Sequence, residues 1–216
     1  ELPAIRRWAQ RFGLGQRTGL ALTVEASGLV PSNEWKLRSQ GEPWYPGETI
    51  SVAIGQGPRH VTPVQMALAA ATVANGGYRV QPFVRSRDAL RHKPEPVGLS
   101  RSTVQALTEA MEAVVQTGTA RRSKIEGVRF AGKTGTAQVV ALDAEENPGD
   151  HAWFIGFGPL PEPTLAWAVL VEHGGHGGAS AAPIAGEVLR RALERELGGA
   201  RFAEQLAREE RRADGA

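Results

Sequence analysis

Cysteine is absent from the 216 residues. That excludes disulfides, thiol catalysis and any cysteine-based metal site, and it identifies no compartment. Lysine is scarce: Lys36, Lys93, Lys124 and Lys133 are the only ones, and arginine supplies the other cations. Charge of one sign is missing as well. The 25 Lys and Arg stand against 23 Asp and Glu, a formal net charge of +2, and no stretch is basic enough for a nucleic-acid footprint. The longest apolar runs, such as residues 165–171, are far too short to span a bilayer. What is present is a chain with 41% hydrophobic residues, enough for a sizeable core, which excludes intrinsic disorder. The length fits one domain, or one domain with a small appendage. The chain opens at Glu1 on what reads as the end of a helix, so a longer parent protein is expected.

Residues 5–12 read as that helix end, stopped by Gly13-Leu14-Gly15, where glycine accepts a left-handed turn. Residues 18–45 carry Gly, Pro, Ser and Asn throughout and read as a long loop with at most one short strand, packed on a surface or functional. Thr62 before Pro63 marks a helix start: the hydroxyl caps free amides, and proline at the first helical position loses no bond. This Ala-rich, nearly uncharged helix is expected to be buried on most sides and to end at Asn75-Gly76-Gly77. Residues 82–98 are expected to be exposed. A second helix is expected from Ser102, which has capping-box spacing to Gln105. Leu107, Met111, Val114 and Val115 recur on one of its faces, Gly118 closes it, and Arg121, Arg122 and Lys124 follow in a basic loop.

Residues 128–140 have strand character, and 153–157 and 165–171 are two further strand candidates with short connections. Together they predict an antiparallel meander. Pro183 opens an amphipathic helix through Ile184, Val188, Leu189, Ala192 and Leu193 to Gly198. Residues 1–198 then form one domain portion and 199–216 a tail or frayed helix. The fold class is α+β: an antiparallel sheet flanked by helices.

One stretch reads in two ways. Residues 127–134, Gly-Val-Arg-Phe-Ala-Gly-Lys-Thr, match the phosphate-binding pattern G-x-x-x-x-G-K-[ST] letter for letter. That chemistry needs a strand before the motif, a flexible cradle within it and a helix after it. Here the preceding segment is basic and polar, Val128 and Phe130 alternate as a strand would, and Gly135, Thr136, Val139 and Val140 are poor helix formers. The other reading is Lys133-Thr134-Gly135 on an edge strand, a motif of serine β-lactamases and penicillin-binding proteins. A lysine pairs with a substrate carboxylate, a Thr134 hydroxyl bonds the same group, Gly135 lets a peptide lie against the strand, and the Thr136 amide faces a developing oxyanion.

The flanks favour the second reading. Gly-Glu-Thr-Ile-Ser-Val-Ala-Ile-Gly-Gln-Gly (47–57), Thr62-Pro63-Val64-Gln65-Met66, Ala74-Asn75-Gly76-Gly77, Gly118-Thr119-Ala120 and Ala131-Gly132-Lys133-Thr134-Gly135-Thr136-Ala137-Gln138 closely resemble the transpeptidase domain of class B penicillin-binding proteins. Upstream, Phe12-Gly13-Leu14-Gly15, Thr18-Gly19, Glu25 and Gly28-Leu29-Val30-Pro31-Ser32 look like the same family. The resemblance covers about residues 1–195 in the family's order, and is best to the elongation-type, penicillin-binding protein 2-like members. It implies part of the penicillin-binding protein and serine β-lactamase fold, and a serine-type D-Ala-D-Ala transpeptidase or carboxypeptidase that cross-links peptidoglycan stem peptides through an acyl-serine and is acylated by β-lactam antibiotics. By resemblance Lys133 and Thr134 hold the terminal carboxylate, Thr136 supplies an oxyanion amide, and Gly135 and Gln138 line the substrate site. No cofactor and no metal are implied. The implied setting is the extracytoplasmic face of the cytoplasmic membrane, with a membrane glycosyltransferase of the elongation machinery as partner and an anchor outside this chain.

Two of the family's three motifs are missing. No serine has a lysine three positions on, Ser32 having Trp35 there, and no Ser-x-Asn occurs. The nucleophile, its lysine base and the second serine are therefore expected on an upstream segment of the same protein, and the chain alone is expected to be inactive. Other readings stand beside this one: a non-catalytic penicillin-binding-like module, a β-lactam sensor, and the nucleotide-binding P-loop. Lys133 also reads as an ordinary strand lysine. His173, His176 and His151 read as a possible metal set or, more simply, as solvent-facing histidines of a glycine-rich turn. Asp143, Glu145, Glu146 and Asp150 read as a solvated hairpin tip, the five tryptophans as packing residues, and Gly55-Gln56-Gly57 as tight backbone packing.

Overall fold

The computed structural model describes residues 1–20, 24–85, 93–139 and 149–198. The chain divides into two compact units, Glu1–Arg101 and Ser102–Ala216.

The first unit is helical. Helices α1 (Leu2–Arg11), α2 (Asn33–Gln40), α3 (Pro46–Ala53) and α4 (Pro63–Ala74) precede a short antiparallel ladder of β1 (Tyr78–Arg79) with β2 (Glu95–Pro96). Helix α4 starts as its spacing predicts. The Thr62 hydroxyl accepts from the Gln65 amide at 3.2 Å, and the Gln65 side chain accepts from the Thr62 amide at 2.9 Å. Gln65 is buried, and its Nε2 also donates to the carbonyls of Gln16 and Ser27, both at 2.8 Å. One side chain thus satisfies a helix start and two loop carbonyls that have no ladder of their own. Beyond Pro63 the helix is buried or half-buried throughout, as expected.

Helix α2 interrupts the long loop expected over residues 18–45. Ser32 caps it, accepting from the Trp35 amide at 3.1 Å, and Gly41 ends it at φ 74°. No apolar stripe announces this helix, because its buried contact is a charge. Lys36 is only 4% exposed, its ammonium lies 2.6 Å from Glu48 of α3, and it sits 4.4 Å from the centroid of the Tyr45 ring. The Gly55-Gln56-Gly57 turn is also corrected. A Cβ on Gly57 would meet nothing closer than 3.8 Å, but φ is 88° at Gly55 and 80° at Gly57. Left-handed backbone, rather than close packing, requires glycine there.

The second unit holds α5 (Arg101–Gln116), a 3-10 turn (Arg121–Ser123), β3 (Ala131–Ala137), β4 (His151–Gly158), β5 (Leu165–Val171) and α6 (Ala181–Leu197). The strands form the expected antiparallel meander in the order β3-β4-β5, and the α+β class holds. The core lies between this sheet and α6, where Phe130, Phe154, Ala181, Ala182, Ala185, Leu189 and Leu193 are buried together. Helix α5 begins at Arg101, two residues before the first helical position that a Ser102 cap would give, so Ser102 lies inside the first turn. Met111, Val114 and Val115 are half-buried or buried as expected, whereas Leu107 is 36% exposed and Val104 and Thr108 are half-buried on that side of the helix's first half. In α6, Ile184 and Val188 face outward at 46% and 57% exposure. The alanines take the inner face because they let the helix approach closely: a Cβ on Gly186 would stand 2.5 Å from the Ser123 carbonyl oxygen. Val128 and Phe130 are buried but precede the strand.

Missing side chains and large rings interlock across the sheet. A Cβ on Gly132 of β3 would lie 2.3 Å from the Phe154 ring, one on Gly156 would lie 2.6 Å from the Trp167 ring, and one on Gly158 would lie 2.7 Å from Phe130. Phe130 and Trp167 then meet edge to face, with centroids 5.8 Å apart. Residue 140, the acidic Asp143, Glu145 and Glu146, and the expected tail over 199–216 lie outside the described residues. Among the described residues no helix is long and apolar enough to cross a membrane.

Gly132→Ala is expected to destabilise the protein by about 1–3 kcal/mol through overpacking. In a Phe154→Leu background the same change is expected to cost at least about 1 kcal/mol less. Urea unfolding of the four proteins of the cycle measures this, and equal costs in both backgrounds would refute the interlock.

Candidate functional site

Strand β3 carries the residues singled out in the sequence. Its register sets Lys133 opposite Ile155, Thr134 opposite Phe154, Gly135 opposite Trp153 and Thr136 opposite Ala152. Side chains alternate along a strand, so Thr134 and Thr136 share one face with Gly132, and Lys133 and Gly135 belong to the other. Thr134, Gly135 and Thr136 line an open cleft of about 610 Å³ together with Thr119, Arg121, Arg122, His176 and residues 177–179.

Thr119 enters the cleft through the turn that follows α5. The Gly118 amide bonds to the Ala113 carbonyl and the Ala120 amide to the Val114 carbonyl, both at 3.0 Å, and Ala120 is fully buried. The Thr119 and Thr134 hydroxyl oxygens are then 2.8 Å apart. One donates to the other, and lone pairs of both remain for a ligand. The glycine-rich segment covers the adjoining backbone. A Cβ on Gly177 would stand 2.2 Å from the Trp153 carbonyl oxygen and 2.6 Å from that of Gly135, and one on Gly178 would stand 2.1 Å from that of Thr119. The segment is held by the Gly175 amide on the Asp150 carbonyl at 2.8 Å and by the Ser180 hydroxyl on the Gly174 carbonyl at 2.5 Å.

Lys133 is exposed and does not line this cleft; its ammonium turns back to donate to the Thr134 carbonyl at 2.5 Å. Gln138 is exposed and stands just past the end of β3. The structure thus gathers Thr134, Gly135 and Thr136 and leaves Lys133 and Gln138 at the margin. Residues 131–134 of the phosphate-binding pattern are paired with β4, and the strand runs on to Ala137. A nucleotide cradle needs a helix at that point, so this reading fails.

Other singled-out residues do structural work. Glu25 accepts from the Thr18 amide at 2.8 Å and from the Thr18 hydroxyl, which holds its carboxyl below the usual value. His151 Nδ1 accepts from the His173 amide at 3.1 Å, and His173 Nδ1 lies 3.2 Å from the Gly149 carbonyl oxygen, with the rings edge to face at 4.9 Å. Both δ nitrogens serve the loop, while His176 lines the cleft. Among the described residues no three His, Cys, Asp or Glu are placed to hold a metal. Sequence reasoning left Thr119, the two arginines and residues 177–179 outside the site. Gly118-Thr119-Ala120 and the glycine run were visible signals, but nothing linear ties them to a strand fifteen positions away.

The chain matches the model of the penicillin binding protein transpeptidase domain over residues 2–190. The peptidoglycan D,D-transpeptidase MrdA of Acinetobacter baumannii is 39% identical over 196 residues, 82% of this chain and 29% of the relative. MrdA of Escherichia coli K12 is 34% identical over 212 residues, 88% of this chain and 32% of the relative. Pseudomonas aeruginosa PBP2, solved in complex with WCK 5153, aligns with a TM-score of 0.77 at 35% identity, covering 88% of this chain and 42% of that one. Helicobacter pylori PBP2, solved in complex with MreC, aligns with a TM-score of 0.79 at 31% identity, covering 92% of this chain and 36% of that one. The chain spans about a third of the length of the curated relatives.

Thr119→Val is expected to change stability by less than about 1 kcal/mol, since the exposed hydroxyl pair contributes little to folding. Gly178→Ala is expected to cost about 1–3 kcal/mol, because its Cβ meets backbone that must move. Thermal unfolding of the two variants checks the contrast; a large loss for Thr119→Val would make the hydroxyl pair a folding element rather than a ligand-facing one.

Proposed function

The chain belongs to the penicillin-binding protein transpeptidase family, and from that premise we propose that it forms the carboxylate-binding wall of a peptidoglycan D,D-transpeptidase. In the intact enzyme a serine attacks the carbonyl of the penultimate D-Ala of a stem peptide. The terminal D-Ala leaves with a proton, and an amine of a neighbouring strand attacks the ester and frees the serine. β-Lactams enter the same step and are held at the ester.

The observation that carries the reading is the Thr119–Thr134 hydroxyl pair at 2.8 Å on the floor of the cleft, beside a strand position, Gly135, that has no side chain. A peptide can lie along β3 there with its terminal carboxylate on the Thr134 and Thr136 hydroxyls. Lys133 adds positive charge from the rim, Gln138 borders the substrate, and the Thr136 amide polarises the reacting carbonyl. The nucleophile comes from an upstream segment of the same protein. Ser32 is engaged as a helix cap and the buried Ser123 donates to the Ala120 carbonyl at 2.7 Å, so neither is poised to attack.

The partners in this reading are stem peptides, β-lactams, the upstream segment and a membrane glycosyltransferase of the elongation machinery. The enzyme works at the extracytoplasmic face of the membrane, anchored by a segment outside this chain. The MreC complex of the Helicobacter relative supports the elongation setting.

Fluorescent penicillin on a denaturing gel, with intact mass beside it, tests the proposal. The intact protein is expected to take one label at a serine outside this chain, and the chain by itself none. Thr134→Val in the intact protein is expected to slow acylation about 10- to 100-fold, the worth of one hydrogen bond to a charged group. Label on the isolated chain, or none on the intact protein, would overturn the reading.

A further inference from the structure

The cleft has a cationic wall that β3 does not supply. Arg121 and Arg122 form the 3-10 turn (Arg121–Ser123) and both line the cleft beside Thr119. The turn is anchored at each end by a buried residue. Ala120 is fully enclosed, and the Ser123 hydroxyl donates to the Ala120 carbonyl at 2.7 Å beneath Gly186 of α6. Two consecutive arginines are thereby mounted on fixed backbone next to the Thr119–Thr134 hydroxyl pair. Neither guanidinium has a hydrogen-bond or ion-pair partner among the described residues, whereas Arg129, Arg190 and Arg191 of the same unit each hold a glutamate.

Lys133, the cation that the motif offers, spends its ammonium on the Thr134 carbonyl and lies outside the cleft lining. An anion resting on the Thr119 and Thr134 hydroxyls therefore has Arg121 and Arg122 as the cations on its side of the strand. A guanidinium is planar, permanently charged and suited to a carboxylate through paired N–H bonds. Two of them, with no carboxylate partner among the described residues, also raise the potential that draws an anion into the cleft.

We propose that Arg121 and Arg122, with Thr119, select ligands by their carboxylate. They recognise the C-terminal carboxylate of the stem peptide and the equivalent carboxylate of a penicillin. This inference rests on the transpeptidase reading and deepens it. The two arginines are specificity-determining residues that the Lys-Thr-Gly motif does not name.

The test uses the intact protein and compares benzylpenicillin with its methyl ester, reading second-order acylation rates. In R121Q/R122Q, acylation by the acid is expected to fall about 10- to 100-fold, and acylation by the ester to change less than about 2-fold. The slowing of the acid by a tenfold rise in salt from about 0.05 M should largely vanish in the double variant. Arg121→Lys with Arg122→Lys should restore the salt dependence and only part of the rate. Arg195→Gln, an exposed charge on α6 that does not line the cleft, should behave as the unaltered protein. Equal losses on acid and ester, or an unchanged acid rate, would overturn the proposal. So would a loss confined to peptide donors with a side-chain carboxylate before D-Ala-D-Ala, with donors ending in carboxylate and carboxamide affected alike. An unaltered protein that no penicillin acylates would instead sink the transpeptidase reading itself.

Discussion

The contact on which the second unit depends is the Phe154 ring lying over Gly132. A side chain at 132 would collide with that ring, so strand β3 can pair with β4 in this register only if position 132 is bare. A second ring-over-glycine contact, Trp167 over Gly156, and the Phe130 Cβ against Gly158 continue the interlock across β4. Slipping β3 by one residue would set Lys133 against the Phe154 ring and move every side chain of the strand to the opposite face. The register that buries the aromatic rings is also the one that points Thr134 and Thr136 into the cleft.

The first unit is held by polar groups in places where a hydrophobic reading expects nothing. Gln65 joins the start of α4 to the carbonyls of Gln16 and Ser27, and Lys36 ties α2 to Glu48 of α3. Glu25 gathers the hydroxyl and amide of Thr18. Gln65, Glu48 and Glu25 fall within the motif stretches that resemble the family, and Lys36 lies between two of them. Gln65 and Glu25 bond loop and helix-end groups that no backbone ladder reaches, and Lys36 is buried with its charge paired.

Labour in the cleft is divided by strand alternation and by the turn after α5. Thr119, Thr134 and Thr136 line the cleft with hydroxyl-bearing side chains, and Arg121 and Arg122 line it with positive charge. The segment over residues 174–178 closes one side with backbone alone, since Gly177 and Gly178 sit where no Cβ would fit. A wall made of backbone, hydroxyls and guanidinium groups has the chemistry to bind and orient an anion, and in the proposed reading the nucleophile comes from another segment, in keeping with the absence of a Ser-x-x-Lys sequence in these 216 residues.

The α+β class, the meander, the capped α4 and the Lys-Thr-Gly strand were all legible in the sequence, because each rests on short-range signals. A cap and a proline at a helix start, alternation along a strand and an ordered run of motifs are local or linear. Helix α2 was not legible, because its anchor is an ion pair twelve positions apart rather than an apolar stripe. The outward turn of Ile184 and Val188 was not legible either: alanine wins the inner face of α6 only where the helix lies close to its neighbours, and that closeness belongs to the packed state. Thr119, Arg121 and Arg122 joined the site for the same reason. The sequence by itself determined which strand carries the Lys-Thr-Gly run. Tertiary packing alone decided which hydroxyl and which cations line the cleft beside it, since the Thr119–Thr134 contact forms only when the turn after α5 is packed against β3.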